Sequence, residues 1–482
     1  SGRRKTRTST ILKMTMAGVS SIFSNAQTTG VMVDGFPLSF STAHAGCSHG
    51  CYQIPSSAPL TCLQFSTTSR PPLKQLSDQI QESYNARETD GVLDLVLSLS
   101  LMTDEELDIG GTLVPAILDA MGGENNKGAV ASIMNAMIGS CCYLATNNKD
   151  AVEDKKAREI LVDHVDSLLD AYEDLDQARG ISPDIVSYSL AYTALESMED
   201  SAAEALLEMA KKKAKKLAGG KRRKILASSR RKAVSTFTEA EPTLKELLGD
   251  EFEVLLETNE FCVINKPSGV PCFHKKATTA GKIKKKKGKT TSKDESSASD
   301  ISLEDALVSC NVPLSTLNSD ALGLVHRLDR GTSGCMVVAK TDEMHAQLVS
   351  EFFLRRTTKT YTTLLQDTAS SNLDNEGLID QPVNGRPAQS KYRLLERYSN
   401  NVALVEFEIF TGRKHQIRVH AAEALHRPVL NDALYSNNEM ANSLDVGTSQ
   451  QFFLHSSHLS IPRFGIDATA PIPVSWIPLC RH

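Results

Sequence analysis

Gly323-Leu324-Val325-His326-Arg327-Leu328-Asp329-Arg330-Gly331-Thr332-Ser333-Gly334 is the stretch on which the reading of this chain turns. It sets one carboxylate, Asp329, between two arginines, and Gly331 and Gly334 allow the backbone to turn sharply. The apolar run Cys335–Ala339 that follows reads as a buried strand. Thr341-Asp342-Glu343 reads as the start of a helix that ends in Arg355-Arg356, with acids and cations placed as the helix dipole favours. Taken alone, Asp329 is explained equally well as a loop carboxylate paired with Arg327 or Arg330.

Its neighbours change that balance. Upstream, Phe252–Glu257 and Phe261–Asn265 read as paired strands around Thr258-Asn259-Glu260, and Lys266-Pro267-Ser268-Gly269 ends the second. Downstream, Lys359–Leu365 reads as a strand carrying Tyr361, either an ordinary packing residue or one that reaches a pocket. Val405–Phe410 alternates as a half-buried strand does. Directly after it, Thr411–His420 (TGRKHQIRVH) begins with a glycine turn and opens a helix whose start carries Arg413, His415 and Gln416, a site suited to anions and carboxylates.

The chain has 482 residues, enough for two or three domains. No uninterrupted apolar run approaches the ~20 residues of a membrane-spanning helix, so no membrane partner is expected. Ten irregularly spaced cysteines do not make a disulfide scaffold. His44, Cys47, His49 and Cys51 lack a second ligand pair at finger-like spacing, so no metal is assigned. The net charge of −5 argues against a nucleic-acid partner only until it is resolved along the chain. Residues 71–210 hold 8 basic and 27 acidic residues. Residues 211–232 hold 12 basic residues and no acid, and 275–293 nine lysines and no acid. The first 33 residues are also basic, acid-free and rich in Ser and Thr, the composition of an organellar transit peptide.

The expected organisation is therefore a transit peptide or irregular tail over 1–70, an acidic α-helical domain over 71–210, a basic linker over 211–240, and a strand-rich domain over 250–482 with a disordered Lys-rich insertion at 275–300. In the helical part, Ala157–Leu175 carries an apolar stripe, Gly180–Asp184 breaks it, and further helices are expected from Ile185 and over Ala202–Lys213. Ser182–Lys211 resembles one pentatricopeptide repeat, and Ser132–Ile138 resembles the opening of another. The openings lie 54 residues apart, however, not the ~34–35 of regular arrays.

Together the motifs resemble the RluA-type family of pseudouridine synthases. His-Arg-Leu-Asp-x-x-Thr-Ser-Gly is whole at His326–Gly334, and Gly-Arg-x-His-Gln-Ile-Arg-x-His at Gly412–His420. Asn-Lys-Pro-x-Gly is Asn265–Gly269, and Leu-His-x-x-x-Leu is Leu454–Leu459. The Pro-Val-x-x-Asp-x-x-Tyr element is Pro428–Tyr435, with Arg427 where the family usually has histidine. The resemblance covers about residues 250–480. It implies an α+β fold: a pseudouridine synthase catalytic domain with a mixed, largely antiparallel sheet, here preceded by the α-helical domain. It implies breakage of the N1–C1′ bond of uridine, rotation of the base and rejoining through C5, with no cofactor and no metal.

By the same resemblance Asp329 is the nucleophile or base, Arg413 the cation that keeps it ionised and oriented, and Tyr361 the residue stacked on the uracil. Attack on a base carbon, attack on C1′, and removal of the 2′ proton all remain open for Asp329. Arg327 is expected to fill the stack vacated by a flipped uridine. Arg330, Arg418, Lys391 and the basic arms are expected to face the RNA, where phosphate contacts position without specifying. The expected partner is rRNA or tRNA bound by a monomer, in chloroplast or mitochondrion, or, by the lysine runs, in the nucleus. The acidic helical domain is read as a site for a protein partner. The competing reading is an RNA-binding or assembly protein that has lost activity.

Overall fold

The computed structural model describes residues 127–147, 155–215, 242–274, 301–367, 373–436 and 452–480. Residues 1–70, read as a transit peptide or irregular tail, with the His44–Cys51 cluster, residues 71–126 of the expected helical domain, the linker beyond 215 and the insertion at 275–300, lie outside the described residues.

Four helices come first: α1 (Lys127–Asn147), α2 (Lys155–Arg179), α3 (Ile185–Ser197) and α4 (202–215). The break read at Gly180–Asp184 is a turn. Gly180 adopts φ +63, and the Asp184 side chain caps α3 by accepting from the amides of Val186 and Ser187. The apolar stripe of α2, including Val165, Leu168 and Tyr172, meets Met134, Leu190, Leu195 and Leu207 in one core.

The rest is a nine-stranded sheet with helices on both faces. Its strands are β1 (Glu253–Glu257), β2 (Phe261–Lys266), β3 (Ser333–Ala339), β4 (Thr358–Gln366), β5 (Glu376–Asp380), β6 (Gln389–Tyr398), β7 (Val402–Ile409), β8 (Leu454–Ile461) and β9 (Ile466–Thr469). The order is β1-β2-β3-β8-β4-β7-β6-β5, with β9 beside β8. Among the described residues only the β3–β8 pair is parallel, so the sheet is mixed and largely antiparallel, as expected.

Strands β2 and β3 are buried along their whole length because both faces are covered. On one face Cys262, Ile264, Met336 and Val338 pack on α5 (Leu303–Ser309) and on Leu328 of the Asp329 loop. On the other, Val263, Cys335 and Val337 pack on Met344 and Leu348 of α6 (Asp342–Phe353). Each such fully buried Val or Ile contributes roughly 1.5–3 kcal/mol.

The helical unit does not stand apart from the sheet domain, as the sequence blocks imply. Its core includes Leu317, Ala346 and Leu354, so α6 lies between sheet and helices. The Ser350 hydroxyl lies 2.9 Å from that of Thr193 and donates to the Ser189 carbonyl. Gly139 of α1 faces the Phe353 ring so closely that an added Cβ would lie 2.8 Å from it. The helices therefore sit behind the sheet, on the face opposite the Asp329 loop.

Candidate active site

The Asp329 loop is held by its backbone. Gly323, at φ +70, lies against the Ala339 carbonyl, too close for any side chain. The Thr332 amide donates to the Asp329 carbonyl and closes a turn. From the other side, the Asn265–Gly269 motif acts as a clamp. The Lys266 ammonium, fully buried, donates to the carbonyls of Pro267 and Val270 at 2.9 Å and of Arg330 at 3.4 Å. Burial lowers its pKa to about 8. The Ser268 hydroxyl donates to the Gly331 carbonyl, and the Gly269 amide to that of Arg330. Lys266 was not singled out from sequence; the signal was a lysine closing the apolar run Cys262–Ile264. His326 braces the loop from within. Its Nε2 accepts from the Val337 amide at 3.0 Å, its ring stacks on Phe352, and burial pushes its pKa down to about 3.

Opposite lies the Thr411–His420 segment. Gln416 builds it: its Oε1 accepts from the Thr411 hydroxyl and the Arg413 amide, and its Nε2 donates to the Gln389 carbonyl and the Ser390 hydroxyl. The helix expected from this segment is only one turn, α7 (Gln416–Val419), continued by a π turn over His420–Ala424. His415 precedes it in the left-handed region, φ +62, so Arg413 and His415 stand outside the helix. The two segments enclose a cleft of about 270 Å³ lined by Arg327, Asp329, Tyr361, Arg413, Lys414, His415 and others. That is small for a ligand site and suits one base rather than several.

Asp329 faces two groups. Arg418 Nη1 lies 3.5 Å from its Oδ2, and His415 Nε2 lies 3.7 Å from its Oδ1. The cation against the carboxylate is thus Arg418, not Arg413 as expected. The reason is the short helix: Arg418 falls on its inward side, whereas Arg413 lines the cleft with its Nε on the Pro387 carbonyl. Arg418 was also expected on phosphate, yet it is buried and its fork is filled by Asp432, at 2.6 and 2.7 Å. Its guanidinium lies 4.2 Å from the Phe452 ring centroid and 5.0 Å from that of Tyr435. Burial alone would weaken its charge, but the hydrogen bonds and charge of Asp432, with Asp329 adding, hold its pKa above the ordinary arginine value.

Tyr361 lines the cleft from β4, and burial pushes its phenol up to about 12, against an opposing hydrogen bond from Ser456. Arg327 is exposed at the rim, its guanidinium 5.3 Å over the Phe273 ring. Arg330 is exposed too, but its Nε donates to the Gly269 carbonyl, which makes it a strut between the clamp and the loop. Lys391 departs from expectation. Tyr361, Phe407 and Tyr392 are cross-strand partners and share the cleft face, so Lys391, opposite Glu408, projects from the other face. Among the described residues no group of three His, Cys, Asp or Glu side chains could hold a metal ion, and no helix is long and apolar enough to cross a membrane.

Known proteins share this half of the chain. A family model described as RNA pseudouridylate synthase matches residues 260–423. An uncharacterized RNA pseudouridine synthase of Zymomonas mobilis is 30% identical over 245 residues, 47% of this chain and 96% of that protein. The ribosomal large subunit pseudouridine synthase C of Rickettsia bellii is 30% identical over 47% of this chain and 69% of its own length. The dual-specificity RNA pseudouridine synthase RluA of Escherichia coli O157:H7 is 33% identical over 32% of this chain and 73% of its own length. Other relatives are matched over only about half of their own length. With five ordered motifs, the mixed sheet and these relatives in agreement, the chain belongs to the RNA pseudouridine synthase family of the RluA type, isomerases that act on RNA.

Proposed function

We propose that this isomerase converts specific uridines of a structured organellar RNA, rRNA or tRNA, to pseudouridine, with Asp329 as the group that starts the reaction. The observation that carries the reading is the carboxylate of Asp329 in a one-base cleft, between Arg418 and His415 and beside the Tyr361 ring. An ionised carboxylate so held is poised to attack, or to take a proton, without first losing its own. Tyr361 supplies a ring face for uracil, and its raised pKa keeps the phenol protonated and a hydrogen-bond donor. Arg327 at the rim is free of the sheet and suited to enter the stack that a flipped uridine leaves. The balance closes without a second reactant: N1–C1′ breaks, C5–C1′ forms, and the proton lost from C5 is matched by one gained at N1.

Pseudouridine mapping of rRNA and tRNA from cells lacking the protein, complemented with wild type or Asp329→Asn, tests this. Wild type is expected to restore one or a few sites, and the variant none, a loss of more than about a thousandfold in rate. Restoration by Asp329→Asn would remove Asp329 from the chemistry. The organellar assignment rests on the composition of residues 1–33, and a reporter fused to residues 1–70 that stays in nucleus or cytosol would overturn it.

A further inference from the structure

We propose that His415 is a positioning residue for Asp329, its Nε2–H tautomer supported by the Tyr435 hydroxyl, so that a Tyr435–His415–Asp329 chain holds Oδ1 while Arg418 holds Oδ2. This rests on the reading of Asp329 as the reacting group. Arg418 spends two of its donors on Asp432, and its Nη1 lies 3.5 Å from Oδ2 of Asp329. Oδ1 faces His415 Nε2 at 3.7 Å, close enough to tighten into a hydrogen bond when substrate closes the cleft. The other ring nitrogen, Nδ1, lies 3.0 Å from the Tyr435 hydroxyl, and the two rings meet edge to face at 5.9 Å.

A neutral imidazole has one N–H. If Nδ1 accepts from the phenol, Nε2 carries the proton and points it at the carboxylate. The other tautomer sets a lone pair against a negative oxygen, which is repulsive. The carboxylate, an acceptor only, thus selects the Nε2–H tautomer, and the phenol supports it by donating to Nδ1. The backbone supports the assignment. His415 holds φ +62, uncommon for a side chain with a Cβ, and the four hydrogen bonds of Gln416 fix it there.

The charged and titratable groups facing the ring are Asp329 from the loop before β3, Arg418 and Lys414 from its own segment, and Asp432 and Tyr435 from the turn after it. Burial lowers the pKa of His415; Arg418 and Lys414 act the same way, and Asp329 and Asp432 oppose them. At neutral pH the ring is therefore a neutral donor. As pH falls it becomes a cation beside the carboxylate and favours the ionised form.

The test follows tritium released from 5-tritiated uridine in total RNA of cells lacking the protein, at saturating enzyme and across pH. His415→Asn keeps a residue that tolerates the left-handed region. It is expected to lower the rate about tenfold, the equivalent of one hydrogen bond, with little change in the enzyme concentration for half-maximal rate. Its acid limb is expected to move to higher pH. Tyr435→Phe is expected to lower the neutral plateau and leave the acid limb in place, because a protonated ring carries both protons unaided. A wild-type rate and acid limb in His415→Asn overturns the proposal. So does a loss of rate that tracks a loss of thermal stability with the acid limb unmoved. Activity in Asp329→Asn removes the underlying reading instead, whereas an inactive Asp329→Asn beside a wild-type His415→Asn removes this proposal alone.

Discussion

Arg418 serves two carboxylates with one guanidinium. Asp432, fully buried, takes its Nε and Nη2, and Nη1 is left for Asp329. Breaking a buried pair of this kind costs about 3–5 kcal/mol, because the remaining charge has no partner and no water. Lysine keeps the charge but has no planar fork, so it reaches one carboxylate and not both. Arg418→Lys is expected to lower the rate about a hundredfold while RNA binding, by filter retention, stays within about threefold. RNA binding that collapses with the rate would mean that Arg418 meets phosphate after all. The carboxylate was legible in the sequence because its motif is contiguous. The choice between Arg413 and Arg418 was not. Four residues lie between them, and only the length of the intervening helix turn decides which points inward.

At the scale of elements, the site depends on one crossing. β3 leaves the Asp329 loop and meets β8 in the single parallel pair, Gly334 opposite Ser456. Gly334 has φ +110, and a Cβ there would lie 2.2 Å from the Ser456 carbonyl oxygen and 2.6 Å from its nitrogen. Both are backbone atoms that cannot step aside. Gly334→Ala is expected to cost at least about 3 kcal/mol in denaturant unfolding and to abolish activity through the displaced loop. A variant with wild-type stability would show that the two strands can separate freely. The positions of β1, β2, β3, β4 and β7 were readable from alternation and apolar runs, which are local. The single turn of α7, its π continuation and the left-handed His415 were not, because Gln416 imposes them through Gln389 and Ser390, a strand away. Arg427, a departure from the family motif, likewise finds its reason only in space: its Nε meets Asp367 at 2.6 Å and pins the turn after α7 to the end of β4.

For the whole molecule, the described part of the acidic block and the cleft lie on opposite sides of the sheet. The cleft opens on one face of the sheet, and the acidic helices cover α6 on the other. The negative charge of the described helices is thus held on the face away from the cleft. Several histidines lie in these layers. Burial lowers His326 to about 3, and His345 and His455 to about 4, from an ordinary 6.5. The folded state therefore holds them neutral while the unfolded chain takes up protons. Stability from them is complete above about pH 6.5 and is lost as pH falls toward 4. Neither ring nitrogen of His345 has a hydrogen-bond partner and none of it is exposed, so a proton there has nowhere to be solvated. Tm is expected to drop steeply between about pH 6.5 and 4, and His345→Gln to flatten that slope. A slope unchanged in the variant would assign the acid loss to other groups.

By itself the sequence determined the family, five of the nine described strands (β1, β2, β3, β4 and β7) and the segments that line the cleft. Each of these is written in contiguous motifs or in a period of two, and needs no knowledge of what lies across the fold. The tertiary structure alone decided which cation meets Asp329, that Lys266 clamps the loop from inside, that Lys391 faces away, and that the helical block shares a core with α6. Partners in space are chosen by strand register and by the length of single turns, where a shift of one residue exchanges the inside for the outside.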